Sequence, residues 1–175
     1  MNQVDLNKYF STHWQTNLEK YAHTGWNLVS KIKPNETVLD VGCGLNPFKK
    51  LIPNLTGIDP AFAEADYQTT IEEFVTDKKF DVAFCLGSIN FGTEDQITNQ
   101  IRCMVNLLKP KSRIYWRCNP GLRDHGNTEC ANIEFFPWTV EKHIFLSEQF
   151  GFKLMEVIPD SNNRIYALWA RQPNI

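Results

Sequence analysis

The stretch that decides the fold is "VLDVGCGLNPFKKL", residues 38–51. Val38, Leu39 and Val41 suit a central strand buried on both faces, where apolar side chains run on instead of alternating with polar ones. Gly42-Cys43-Gly44 then turns the chain, and a short helix is expected around 46–52, ending at Pro53. Glycine-rich turns from strand to helix commonly hold a cofactor, because backbone meets ligand where no side chain intervenes. Asp40, two residues before the first glycine, is the anomaly to be explained.

Outward from this turn the sequence alternates between two periodicities. Helical spacing is expected near 3–12 and 16–31, in a short segment at 71–75, after Thr93 and after Thr139. Thr93 is followed three residues on by Gln96, the pattern of a capping box, and Gly151 suits the end of the last helix. Strands are expected at 36–42, 55–60, 65–70, 80–88, 112–119, 152–158 and 164–171. The link between the last two, "PDSNN", is short enough for a hairpin, which makes that pair antiparallel. The expectation is an α/β, doubly wound, mostly parallel seven-stranded sheet with an antiparallel last strand at a reversed edge and helices on both faces.

The 175-residue chain is 42% apolar and 22% charged, ordinary proportions for a globular protein. One domain over 1–175 is expected, with 1–33 a helical cap on a core of 34–171. No apolar run approaches the roughly 20 residues that cross a bilayer. The N-terminus lacks the basic start and apolar stretch of a leader, and five cysteines without a CxxC pair suit reduced thiols, so a cytoplasmic protein is expected. A net charge of −2 without a basic block gives nucleic-acid phosphates little to bind. Cys118, His125 and Cys130 match no standard zinc spacing, and no metal is expected.

The glycine turn departs from the phosphate-binding patterns. A dinucleotide fingerprint needs glycine at position 47, which is proline, and a P-loop needs a Gly-Lys-Ser/Thr ending that is absent. A carboxylate at Asp40 also repels a pyrophosphate but attracts a cation. S-adenosylmethionine carries an ammonium and a sulfonium and no phosphate. Asp59, ending the second strand, stands where an acid accepts the hydroxyls of a ribose, although a plain surface turn also suits it.

With these residues the chain resembles the class I S-adenosylmethionine-dependent methyltransferases. "VLDVGCG" matches their first motif, Asp59 the acid after the second strand, "FDVAFCLGSINFG" the fourth strand, "LLKPKSRIYW" the passage into the fifth and "FGFKLMEV" the sixth. Asn46 stands where that family often has a third glycine; asparagine tolerates positive φ, and Pro47 suits the start of a helix.

The resemblance implies that Gly42 and Gly44, with Cys43 between them, admit the methionine moiety and that Asp40 binds its ammonium. It implies that Thr70 and Ile71 flank the adenine and that Leu86 and Gly87 line the cofactor. Trp14 has two readings, a lid over the cofactor or packing for the N-terminal segment. No motif fixes a catalytic base; His125, in the 119–138 connection, is the candidate, with a solvated loop histidine as its other reading. "CLGSIN" lacks the Asn/Asp-Pro-Pro-aromatic signature of DNA amino methyltransferases, so the expected acceptor is a small molecule or a protein side chain. Two rivals remain at this stage: an accessory or sensor protein that binds S-adenosylmethionine without turnover, and a nicotinamide-dependent oxidoreductase, which Pro47 and Asp40 disfavour.

Overall fold

A computed structural model describes residues 2–14, 16–121 and 133–171. Its centre is a sheet of six strands among the described residues: β1 (Val38–Val41), β2 (Leu55–Ile58), β3 (Phe80–Leu86), β4 (Leu108–Cys118), β5 (Lys153–Asp160) and β6 (Arg164–Ala170), in the order β2-β1-β3-β4-β6-β5. β2, β1, β3 and β4 are parallel, and β6 runs antiparallel to both of its neighbours. The α/β, doubly wound architecture is as the sequence implies, with two corrections. The reversed strand lies inside the sheet, between β4 and β5, and the strand expected at 65–70 does not form. There the Asp66 carboxylate takes the Gly57 N–H at 2.8 Å, in place of a strand carbonyl, and only a single bridge joins Ile58 to Tyr67.

Consecutive strand residues are buried on opposite faces. Leu39, Ala83, Cys85, Ile114 and Trp116 pack with Ile97, Ile101 and Met104 of α2 (Glu94–Asn106) and Leu146 of α3 (Val140–Gln149). Val38, Val82, Phe84, Tyr115 and Tyr166 pack on the other side with Leu28, Phe48 and Ile52. The Thr93 capping box forms as expected, Thr139 caps α3 and Gly151 follows it at φ +76°.

α1 spans Gln3–Thr12, but 16–31 is not the continuous helix that the sequence suggests. It folds as turns followed by a 3-10 segment, Trp26–Lys31. Tertiary partners compete for its backbone: Ala22 and His23 donate their N–H groups to Ser161 Oγ and Asp160 Oδ1 at 3.2 Å each, and Ser161 Oγ donates to the Lys20 carbonyl at 2.8 Å. The helix expected at 46–52 is likewise a 3-10 segment, Pro47–Lys50, and 71–75 is a turn. No helix among the described residues is long and apolar enough to cross a membrane.

Candidate active site

Strand order reverses between β1, which connects to β2 on one side, and β3 on the other. The carboxyl ends of these two strands therefore part and leave a crevice, where α/β sheets place their ligands. Gly42 and Gly87 stand at its lips with φ of +72° and +105°. A Cβ on Gly42 would overlap that of Ser88, so both backbone angle and close approach demand glycine there. The turn is held by backbone bonds: the N–H groups of Gly42 and Cys43 both donate to the Ile58 carbonyl, at 2.8 and 3.1 Å. Asn46 takes the left-handed conformation at φ 55° and Pro47 opens the following 3-10 segment, as expected.

Asp59 braces this turn as well as facing the crevice. Its Oδ2 accepts the Gly44 N–H at 2.9 Å, and its Oδ1 accepts those of Ala61 at 2.7 Å and Phe62 at 3.2 Å. An ionised carboxylate offers about four acceptor positions, so one direction stays open.

Asp40 is different. It is 3% exposed, and no hydrogen bond reaches its carboxylate among the described residues. Burial, and secondarily the Asp59 charge, push its pKa up to about 8. An acid in that condition is poised to accept a cation, which would restore its charge. The Cys43 thiol is raised far above its usual range by burial and then by Asp40, which leaves no nucleophile there.

Two cavities open at the crevice. The smaller, about 110 Å³, is bordered by Gly44, Asp59, Thr70 and Ile71; the larger, about 580 Å³, by Asp40 and Cys43. Gly42, Leu86, Gly87 and Trp14 border both. All ten candidates within the described residues thus line these two adjoining cavities, whereas His125 lies outside those residues. The Trp14 ring stands over Gly44, 3.0 Å from the place a Cβ would occupy, and meets Phe62 edge-on at 6.2 Å. No cluster of three or more metal-ligating side chains occurs among the described residues.

Sequence reasoning missed four residues that line the larger cavity: Asn90 and Phe91 after β3, Phe135 on the returning connection, and Arg117 at the end of β4. Arg117 donates to Asp160 Oδ2 at 2.7 Å and to the Ser161 carbonyl at 2.8 Å, and its guanidinium lies 3.9 Å from the Tyr21 ring. A charged residue within the buried run "RIYWRC" was the available signal, since such a charge needs a partner.

Solved structures similar to this chain share its architecture. Magnesium protoporphyrin IX methyltransferase from Synechocystis PCC 6803, with bound S-adenosylhomocysteine, matches at TM-score 0.68 and 12% identity over 98% of this chain and 100% of its own. The 1,6-didemethyltoxoflavin-N1-methyltransferase of Burkholderia thailandensis, with 1,6-didemethyltoxoflavin and S-adenosylhomocysteine bound, matches at 0.64 and 14% over 79% of this chain and 72% of its own. The fold is that of the class I methyltransferases. N-methyltransferase NodS from Bradyrhizobium japonicum WM9, in complex with S-adenosylhomocysteine, has this methyltransferase fold too, at 0.59 and 20% over 79% of each chain. No protein-family model and no curated protein sequence matches the chain.

Proposed function

We propose that the protein transfers a methyl group from S-adenosylmethionine to a small-molecule acceptor. The observation that carries this is Asp40: a buried acid, unpartnered among the described residues, beside a glycine turn at positive φ, in a crevice with no phosphate-binding pattern. The residues fit the donor. Asp40 would bind its ammonium, Gly42, Cys43 and Gly44 its methionine chain, and Asp59 its ribose hydroxyls with the acceptor position left open by the turn. Thr70 and Ile71 would flank the adenine in the smaller cavity, and Leu86 and Gly87 would line the passage between the two cavities. Trp14 would close over Gly44, making residues 1–33 a cap on the 34–171 core. A cytoplasmic location accords with the free thiols of the described cysteines.

When bound, the donor supplies a methyl group on a positively charged sulfur, already a good leaving group. The chain's part is to orient and to exclude water, which can lower a barrier by several kcal/mol. Asp40 would hold one end of the donor and Asp59 the middle, and Gly42 and Gly87, which border both cavities, would leave room for it beside the larger one. Two of the three methyltransferases compared above carry a small molecule in their names, 1,6-didemethyltoxoflavin and magnesium protoporphyrin IX, which supports an acceptor of that class.

The test is calorimetric titration with S-adenosylhomocysteine, followed by transfer of label from methyl-tritiated S-adenosylmethionine to a metabolite extract. Binding with labelled product is expected. Binding without product from any extract would instead indicate a sensor, and no binding would overturn the assignment.

A further inference from the structure

The larger cavity runs from Asp40 and Gly42 past Asn90 and Phe91 to Asn162 and Asn163 in the turn between β5 and β6. Resting on the reading above, the geometry points to the wall formed by Tyr9, Phe10, Asn90, Phe91 and Phe135 as the acceptor subsite for a small, flat aromatic molecule. That molecule carries a hydrogen-bond-accepting heteroatom, which the side-chain amide of Asn90 engages.

Asn90 is clamped from three directions. Its Oδ1 accepts the Asn119 N–H at 3.3 Å, its carbonyl accepts the Phe136 N–H at 2.8 Å, and the preceding carbonyl, of Ile89, accepts the Trp138 indole N–H at 2.7 Å. Because Oδ1 is committed to Asn119, Nδ2 must point the other way, toward Gly87. It lies 4.0 Å from where a Cβ would stand on that glycine. The residue is 3% exposed and borders the cavity, and among the described residues no hydrogen bond engages Nδ2. An amide donor that faces a cavity without a protein partner is held ready for a ligand lone pair, and a hydrogen bond there adds to affinity. An amide cannot accept through its nitrogen, so the matching ligand atom must be an acceptor.

The walls specify the rest. Tyr9, Phe10, Phe91 and Phe135 form a chain of edge-on ring contacts, with centroids 5.2, 5.3 and 5.1 Å apart in succession. A flat ring extends that series with favourable edge-to-face geometry, which an aliphatic ligand cannot reproduce. A cavity of about 580 Å³, shared with the donor, suits a small molecule. On transfer, the acceptor–CH3 bond forms as the S–CH3 bond breaks. The sulfonium becomes a neutral thioether, and a hydroxyl or amine proton of the acceptor leaves to water. Asn90 takes no part in that proton transfer and acts by positioning.

Three probes separate the requirements: 2′-hydroxyacetophenone (ring and oxygens), ethylbenzene (ring only) and 2-acetylcyclohexanol (oxygens only), each titrated with and without S-adenosylhomocysteine. The first is expected to bind at least tenfold more tightly than the others. Asn90→Leu, which keeps the branching at Cγ, should cost it about tenfold while moving S-adenosylhomocysteine affinity less than threefold. Phe91→Leu, which keeps the amide donor, should cost about fivefold and preserve the preference over ethylbenzene. Equal binding of the three probes, or unchanged affinity in Phe91→Leu or in a natively folded Asn90→Leu by circular dichroism, would overturn the proposal. Should the nucleoside fail to bind, the donor reading falls on its own, and the titrations without it still decide the ring-and-acceptor preference.

Discussion

The glycine turn and the hairpin wall face each other across the larger cavity, but they are held by different kinds of interaction. The turn is closed by backbone donors and the Asp59 carboxylate, with Gly44 only 15 residues from that acid. The opposite wall depends on side chains brought from afar: Arg117 reaches Asp160 across 43 positions and Thr24 across 93. The first region specifies its shape locally, so it tolerates little change of residue type. The second acquires its shape only once the sheet is assembled, and its weak point is the buried charge at its centre.

The largest expected effect is that of Gly42→Val, which attacks the local side of this contrast. Forcing a β-branched residue to φ +72° and into Ser88 should abolish detectable S-adenosylhomocysteine binding by calorimetry. It should also cost on the order of 3 kcal/mol in urea denaturation. Near-native affinity would mean that the turn does not meet the ligand.

Arg117→Met tests the assembled side. The arginine and Asp160 side chains are 7% and 0% exposed, so removing one partner leaves a buried charge, at a cost of roughly 3 kcal/mol. Burial raises the Asp160 carboxyl, but hydrogen bonds from Thr24 and Ser161, together with the Arg117 charge, outweigh it and hold its pKa below the usual value. Its contribution to stability is therefore present above the unfolded pKa and lost as pH falls through the folded one; the variant should shrink that acid-side loss. S-adenosylhomocysteine affinity should stay within threefold, and a larger change would show the two sides to be coupled.

Asp40→Asn gives a smaller effect with a distinct signature. The folded chain keeps the Asp40 proton up to about pH 8, whereas the unfolded chain loses it near 3.8. Stability from this group therefore falls as pH rises between those values, and the variant should flatten that slope. A cationic ligand must displace the proton, so wild-type affinity for S-adenosylhomocysteine should rise about tenfold per unit between about pH 5.5 and 7. Asp40→Asn should show no such rise, and a wild-type affinity independent of pH would remove Asp40 from the ammonium site.

Trp14→Ala should have the mildest consequence, a few-fold faster release of S-adenosylhomocysteine in stopped-flow fluorescence, on the scale of about 1 kcal/mol for a lost ring contact. An unchanged rate would reduce Trp14 to packing.

The same contrast explains what could be read from the chain alone. Asp40, Gly42, Gly44 and Asp59 were legible because a sharp turn constrains residue type within a few positions, and a capping box does likewise at Thr93 and Gln96. The segments read wrongly were those whose backbone has partners elsewhere. Residues 20–23 gave up a helix to bond with Asp160 and Ser161, and 65–70 gave up a strand when Asp66 took the Gly57 N–H. Asn90 was invisible for a related reason: its amide is aimed by Asn119, a residue 29 positions away.

By itself, then, the sequence determined a mostly parallel α/β sheet and the glycine conformation of its first turn, since hydrophobic period and glycine placement act over short range. Tertiary structure alone decided the insertion of β6 between β4 and β5, the six-strand count among the described residues, and the ring-lined wall facing the crevice. Those features arise from hydrogen bonds and packing between segments far apart in the chain, and such partners leave no local mark on residue type or spacing.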